Sequence, residues 1–176
     1  MNMHDVPFTA TLADAPDLES RVVSSDHQDI RLWLRLLSCT TFIENEIRSR
    51  LRSEFQTTLP RFDLMAQLQH ESGGMKMSDL SRRMMVTNGN ITGIADQLEK
   101  DGLVERTKLD TDRRSSLIRL TPKGRKLYQK ISQAHESWIR TLFASLSKNS
   151  HQKLYEQLGE LKTMARLFSH IPEMTN

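Results

Sequence analysis

The sequence predicts a mainly α chain (α+β class) in which one two-stranded hairpin interrupts a series of helices. Three observations predict it. Apolar residues recur at three- and four-residue spacing along most of the chain, as helices with a buried face require. Only the stretch from Val104 to Thr121 abandons that period for β-rich, alternating runs. Between the periodic stretches stand Pro60, Gly73-Gly74, Asp101-Gly102 and Pro122, which start or stop helices.

Taken in order, residues 1–26 contain Pro7, Pro16 and scattered acids without sustained periodicity. They read as a flexible N-terminal arm with at most a helical turn near Leu12 or Leu18. From about His27 to Phe55 a long helix is expected. Leu32, Leu36, Cys39, Ile43 and Ile47 form one apolar line, widened by Trp33, Leu37 and Thr40 and extended by Leu51 and Phe55. A stripe that wide implies burial on more than one side, as at a subunit interface. Pro60 suits the first turn of a second helix reaching about His70, with Phe62, Met65, Ala66 and Leu68 facing inward. Ser78 is expected to cap a short helix, SDLSRRM, and Thr87 or Asn88 the next, which runs to Lys100 on an inner face of Ile91, Ile94, Ala95 and Leu98. LVERTKL and SSLIRLT then read as strands, with DTDRR as the hairpin tip. Thr121-Pro122 opens a helix to about Leu146. A final helix spans about Ser150 to His170, its Leu154, Leu158, Leu161, Ala165 and Phe168 spaced like a coiled-coil seam.

Composition narrows the function. The 176 residues are 37% hydrophobic and 27% charged, with a formal net charge of +3. No apolar run approaches the ~20 residues that span a bilayer, so no membrane partner is expected. The N-terminus lacks the basic start and apolar core of a secretory signal. One cysteine, Cys39, leaves no internal disulfide and no cysteine cluster for a metal. A cytoplasmic protein is expected. The charge is unevenly spread: over residues 1–29, Asp5, Asp14, Asp17, Glu19, Asp26 and Asp29 face only Arg21. Arg106, Lys108, Arg113, Arg114, Arg119, Lys123, Arg125 and Lys126 outnumber Glu105, Asp110 and Asp112 around the hairpin. Concentrated cations replace the counterions around nucleic acid phosphates. The six histidines are scattered without ligand spacing, and no phosphate-binding loop or nucleophile elbow is present. No enzyme, metal or cofactor is expected.

The informative feature is the order of elements between Ser78 and Arg125: a short helix, a tight turn, a second helix and a basic hairpin. A helix-turn-helix lays its second helix in the major groove, where each base pair shows a distinct donor and acceptor pattern. That helix needs an apolar inner face and an outer face of small polar residues, which Thr87, Asn88, Gly89, Asn90, Thr92, Gly93 and Gln97 supply. Asn and Gln can pair bidentately with adenine, and Thr can touch a thymine methyl. Two glycines in one helix cost ~1 kcal/mol each relative to alanine, which suggests close approach of the backbone to phosphate or to a neighbouring helix. Arg113 and Arg114 at a hairpin tip would reach a minor groove, with Asp112 holding an arginine extended. Arg106, Lys108 and Arg119 would flank the phosphates.

LPRFDLMAQL, MSDLSRRMMVTNGNITGIADQLEKDGLVER and DRRSSLIRLTPKG resemble the MarR family of bacterial regulators. The resemblance covers about residues 30–170 and is specific through 59–125. It implies a winged helix-turn-helix lobe with a two-stranded wing (59–125), a dimerisation helix (27–58) and C-terminal dimerisation helices (126–171). It also implies a homodimer on double-stranded, pseudo-palindromic DNA. The family's wing motif falls on Asp112, Arg114, Leu120 and Thr121, and its DNA-reading positions fall on Ser78, Thr87, Asn88, Asn90 and Thr92. The wording is similar to regulators of aromatic-acid catabolism, usually repressors, released by a small aromatic acid or its CoA thioester. An anionic aromatic effector needs a cation and apolar walls. Arg35, within WLRLL, or Arg31 could supply the cation, as could Arg48 or Arg52; Trp33, Phe62 and Met65 could supply walls. Cys39, on the apolar face with no second cysteine, is expected to be structural. An oxidant-responsive regulator acting through Cys39 and a winged-helix protein-interaction adaptor stand as alternatives.

Overall fold

The computed structural model describes residues 27–109 and 112–168, with the side chains of 108–109 and 112–115 left out of that description. The arm expected over residues 1–26 therefore lies outside the described residues, as do 169–171 at the C-terminal end. Six helices and three strands follow in the order α1 (Gln28–Phe55), α2 (Leu59–Gln69), β1 (Met75–Lys76), α3 (Met77–Met84), α4 (Asn88–Lys100), β2 (Val104–Leu109), β3 (Asp112–Leu120), α5 (Pro122–Phe143) and α6 (Lys148–Phe168). The strands form one antiparallel sheet in the order β1-β3-β2.

Two boundaries differ from expectation. Ser78 is not the cap of α3: the helix begins at Met77, Lys76 stands at the cap position without a side-chain cap bond, and Ser78 is exposed in the first turn. The cause is β1, too short to show a period, which pairs Met75 with Ile118 and Lys76 with Leu117 and delivers the chain directly into α3. The hairpin tip is also shorter than DTDRR. Asp112, Arg113 and Arg114 belong to β3, and Leu109 pairs with Asp112 across an irregularity after Lys108.

The core is local to the middle of the chain. Leu64, Met65 and Leu68 of α2, Leu80 of α3, Ile91, Ala95 and Leu98 of α4, Val104 of β2, Ile118 and Leu120 of β3 and Ile131 of α5 are buried together. α1 reaches this cluster only near its C-terminus, through Leu51 and the partly buried Ile47 and Phe55. α6 buries nothing.

Two glycines make the close packing possible. Gly74 has φ +85°, and a Cβ there would lie 2.8 Å from the Ile118 carbonyl oxygen, so this turn beside the sheet excludes any side chain. Gly124, in the first turn of α5, lies so close to the loop before β2 that a Cβ would be 2.0 Å from the Leu103 carbonyl oxygen. The same junction is tied by Thr121, whose hydroxyl accepts from the Gly124 N–H (3.0 Å) and donates to the Gly102 carbonyl (2.8 Å). Arg61 of α2 pairs with Asp101 at the end of α4, while Lys123 donates to the Asp101 carbonyl (2.7 Å). These ties bind α2, α4 and the start of α5 into one block.

Candidate nucleic-acid interface

α4 has two unlike faces. Ile91, Ala95 and Leu98 are fully buried and Ile94 partly so, while Thr87, Asn88, Gly89, Asn90, Thr92, Gly93 and Gln97 are exposed. The division follows from apolar residues at 0, 3, 4 and 7, which set one helical stripe inward. Of the two candidate caps, Thr87 does the capping: its hydroxyl accepts from the Asn90 N–H (3.3 Å). Thr92 donates its hydroxyl proton back to the Asn88 carbonyl (2.9 Å), which leaves its oxygen lone pairs and methyl outward. The Asn88 and Asn90 side chains stand on the same exposed turn, and Ser78 is exposed on α3.

Gly89 and Gly93 resolve one of the two possibilities open in the sequence. A Cβ at either would meet no atom of the described chain within 4 Å. No neighbouring helix among the described residues needs the space. The backbone along that edge of α4 is bare to whatever lies outside.

Arg106 departs from the phosphate-flanking role expected of it. Its guanidinium pairs with Asp96 and lies 3.5 Å from Glu99, both on α4, and the side chain is only 27% exposed. The alternation of β2 turns Arg106 towards α4, where two carboxylates one turn apart receive it. Arg119 is likewise engaged, with Glu105 directly opposite on β2 (2.7 Å). The backbone of Asp112, Arg113 and Arg114 runs in β3, and their side chains lie outside the described residues, as does that of Lys108.

The residues expected to hold an effector are not brought together within one chain. Arg31, Trp33 and Arg35 are exposed on the N-terminal half of α1, Trp33 at 61%. Phe62 and Met65 belong to the core, and Met65 has no exposed surface at all. Arg35 lies twenty residues before Phe55, about 30 Å along a helix that rises 1.5 Å per residue. Phe62 instead stacks on Tyr128 (5.7 Å) and meets His135 (5.2 Å). Cys39, expected to be packed, is exposed in this subunit, because α1 leaves the lobe before reaching it.

An aromatic seam joins α1 to the lobe and was not singled out in the sequence. Phe55 of α1 meets Trp138 of α5, Trp138 meets His135, and Arg50 lies 5.8 Å above the Trp138 ring. The signal existed: Tyr128, Ile131, His135 and Trp138 follow helical spacing. Burial pushes the His135 imidazole below its usual range. Beside the seam, Asp63 of α2 is pushed up to about 6 by burial, against the pull of Arg48 and with the help of Glu44, both on α1. α5 also borders a groove of about 480 Å³, shared with the seam at His135 and lined further by Ile139, Arg140, Phe143 and His151 of α6. Among the described residues no cluster of three or more His, Cys, Asp or Glu is arranged to hold a metal, and no helix is long and apolar enough to cross a membrane.

The MarR family model matches residues 57–116, the stretch from the start of α2 into β3. Over 121 residues the chain is 31% identical to the homoprotocatechuate degradative operon repressor of Escherichia coli, covering 65% of this chain and 82% of that protein. The chain belongs to the MarR family. It is also 26% identical over 151 residues to the uncharacterized HTH-type transcriptional regulator YfiV of Bacillus subtilis, covering 85% and 91% of the two chains. Its fold matches the S. aureus MepR–DNA complex with a TM-score of 0.66 at 19% identity, covering 74% of this chain and 96% of that one. As a MarR protein it is a DNA-binding transcriptional regulator with a winged helix-turn-helix, in which α3 and α4 form the helix-turn-helix and β2 and β3 the wing.

Proposed function

We propose that this MarR protein is a homodimeric, ligand-responsive repressor acting in the cytoplasm, and that α4 reads its operator. The observation that carries the reading is the outer face of α4. Asn88, Asn90 and Thr92 stand exposed beside two glycines that none of the described residues fills, above an inner face anchored in the core. Such a face suits a major groove, where Asn can pair with adenine and Thr with a thymine methyl. Ser78 and Thr87 would touch the flanking backbone, and Asp112, Arg113 and Arg114 would carry the wing to the minor groove. Arg106 takes a different part in this reading: it holds the wing to α4 and so positions both.

The dimer would be completed by α1 and α6. The domain division follows: an N-terminal arm over 1–26, dimerisation through 27–58 and 126–171, and DNA binding through 59–125. Leu154, Leu158 and Leu161 form an exposed apolar line along α6. Helices gain most of their stability by packing an apolar face, so a long helix that buries nothing against the described residues of its own subunit calls for a second one.

Release would come from an aromatic acid or its CoA thioester bound where the dimerisation helices meet the lobe. The repressor of a homoprotocatechuate degradative operon, named for an aromatic acid, supports that class. Arg31, Arg35 and Trp33 would then serve from the partner subunit, since along α1 they lie at least about 22 Å from Arg50, where the aromatic seam begins on that helix. An effector that prefers a lobe spacing unfit for half-sites ~34–36 Å apart would shift the population off DNA. Moving from 99% bound to 99% free takes about 5.5 kcal/mol of differential affinity, which two sites per dimer would share.

Binding to a duplex selected by the protein from a random pool, followed through a salt series, tests the assignment. Asn90→Ala should weaken binding by about 1–3 kcal/mol at one base position. Arg114→Ala should weaken it across sequences and lower the salt slope by about one. Wild-type affinity in both variants rejects the assignment of α4 and the wing. Challenge of the complex with benzoate-type acids, hydroxycinnamates and their CoA thioesters tests the effector class.

A further inference from the structure

We propose that Met85, in the turn between α3 and α4, is an apolar DNA contact at the rim of the groove that α4 enters. The proposal rests on the assignment of α4 as the reading helix. Met85 is 91% exposed, more than any other large apolar side chain among the described residues. It also has φ 55° and ψ 38°, the left-handed conformation that glycine or asparagine adopts with less strain. The left-handed backbone closes α3, but a glycine would close it with less strain and without the exposed apolar side chain.

The surrounding turn shows that the side chain is not a displaced core residue. The Met85 N–H donates to the Arg82 carbonyl (3.3 Å) and the Val86 N–H to the Ser81 carbonyl (3.2 Å), while the Ser81 hydroxyl donates to the Val86 carbonyl (2.6 Å). Within the run Met84-Met85-Val86 the outer two residues pack against the core and satisfy the apolar demand of the turn. The middle one is turned outward by its left-handed backbone.

Its position fixes what it can meet. Met85 stands three residues before Asn88, the first residue of α4, so its Cα lies within about 11 Å of that helix end. The major groove is about 12 Å wide. With the N-terminal turn of α4 in the groove, that reach brings the exposed Met85 side chain within range of the groove wall or the sugar rim above it. An unbranched, polarizable thioether suits apolar contact there, with a thymine methyl or with deoxyribose carbons.

The test uses the full chain and a duplex that the wild type has enriched from a random pool. Met85→Gly removes the side chain and relaxes the backbone, so its Tm should equal or exceed that of the wild type. Its affinity should fall about tenfold with an unchanged salt slope, since no phosphate contact is lost. Met85→Leu should stay within about threefold of wild type. A second duplex with deoxyuridine in place of thymine separates the two contact surfaces. If the methyl is the contact, the wild type loses affinity on it and Met85→Gly loses little more; if deoxyribose is the contact, both proteins change equally. Wild-type binding by Met85→Gly, or a loss explained by a changed oligomeric state in size exclusion, overturns the proposal. Asn90→Ala run alongside distinguishes the failures. Weakened Asn90→Ala with unaffected Met85→Gly rejects only the Met85 contact, whereas no effect in either rejects the placement of α4 as well.

Discussion

Leu51 and Leu32 lie on the same helix about five turns apart, and their surroundings have nothing in common. Leu51 is fully buried in the lobe, while Leu32 is 54% exposed together with Ile30, Trp33 and Phe42. The same contrast separates α5 from α6. α5 buries Gly124 and Ile131 and carries the aromatic seam, whereas α6 places Leu154, Leu158 and Leu161 on open surface. One region of this chain satisfies its apolar residues from within, and the other offers equally apolar helices that nothing among the described residues satisfies. The lesson is that an apolar stripe states a demand for burial and not its source. Leu51 and Leu154 read alike in sequence, and only the arrangement in space shows which one the subunit serves.

The comparison can be broken most severely at Gly124. Gly124→Val would drive side-chain carbon into the Leu103 carbonyl, with no flexible neighbour to yield. A loss of about 4 kcal/mol or more is expected, seen by circular dichroism as a Tm drop of at least about 10 °C. Next in size is the double substitution Leu158→Glu with Leu161→Glu. It should turn a dimer into monomers in light scattering and abolish operator binding, while the lobe retains its near-native spectrum. A folded dimer from that variant would contradict the role given to α6. Thr87→Ala is smaller, costing about 1 kcal/mol through loss of the α4 cap.

Asp63 tests the boundary between the two regions, since its neighbours Arg48 and Glu44 come from α1. Its folded pKa of about 6 stands above the ordinary value of 3.8, so the folded state holds the proton more tightly than the unfolded one. The stabilisation is full below about pH 4 and is lost as pH rises through 6. Asp63→Asn should flatten that part of the stability curve and raise Tm near pH 7.5 by roughly 3 °C, a modest figure because the group is partly solvated. The smallest effect is expected at Arg140→Ala. Its i, i+4 pair with Glu136 is exposed, and the loss should stay under about 0.5 kcal/mol.

How much was legible from residues alone depended on how local the cause was. α4 was readable because its cap, apolar stripe and Asp101-Gly102 stop all lie within one continuous stretch from Thr87 to Gly102. β1 was not, since two residues carry no period and its pairing with Ile118 and Leu117 spans more than forty positions. Phe62 and Met65 were assigned as walls of an effector site because the side chains that line a cavity and those that fill a core are the same types. Arg106 was assigned to phosphate because its charge was visible in sequence and its partners were not. Asp96 and Glu99 reach it only after the chain has turned from α4 into β2.

That pairing has a consequence for how such a regulator can change. Arg106 fastens the wing to α4, and Arg61 with Lys123 fastens the end of α4 to α2 and α5. Each lobe is therefore a stamp whose face does not deform when the handle moves. In the proposed dimer, an effector acting through α1, α5 and α6 would alter the distance between two stamps, or lift them, without altering what either one prints. Under that proposal, operator preference and inducer preference would reside in parts that can mutate independently. A descendant could acquire a new inducer and keep its old promoters unchanged.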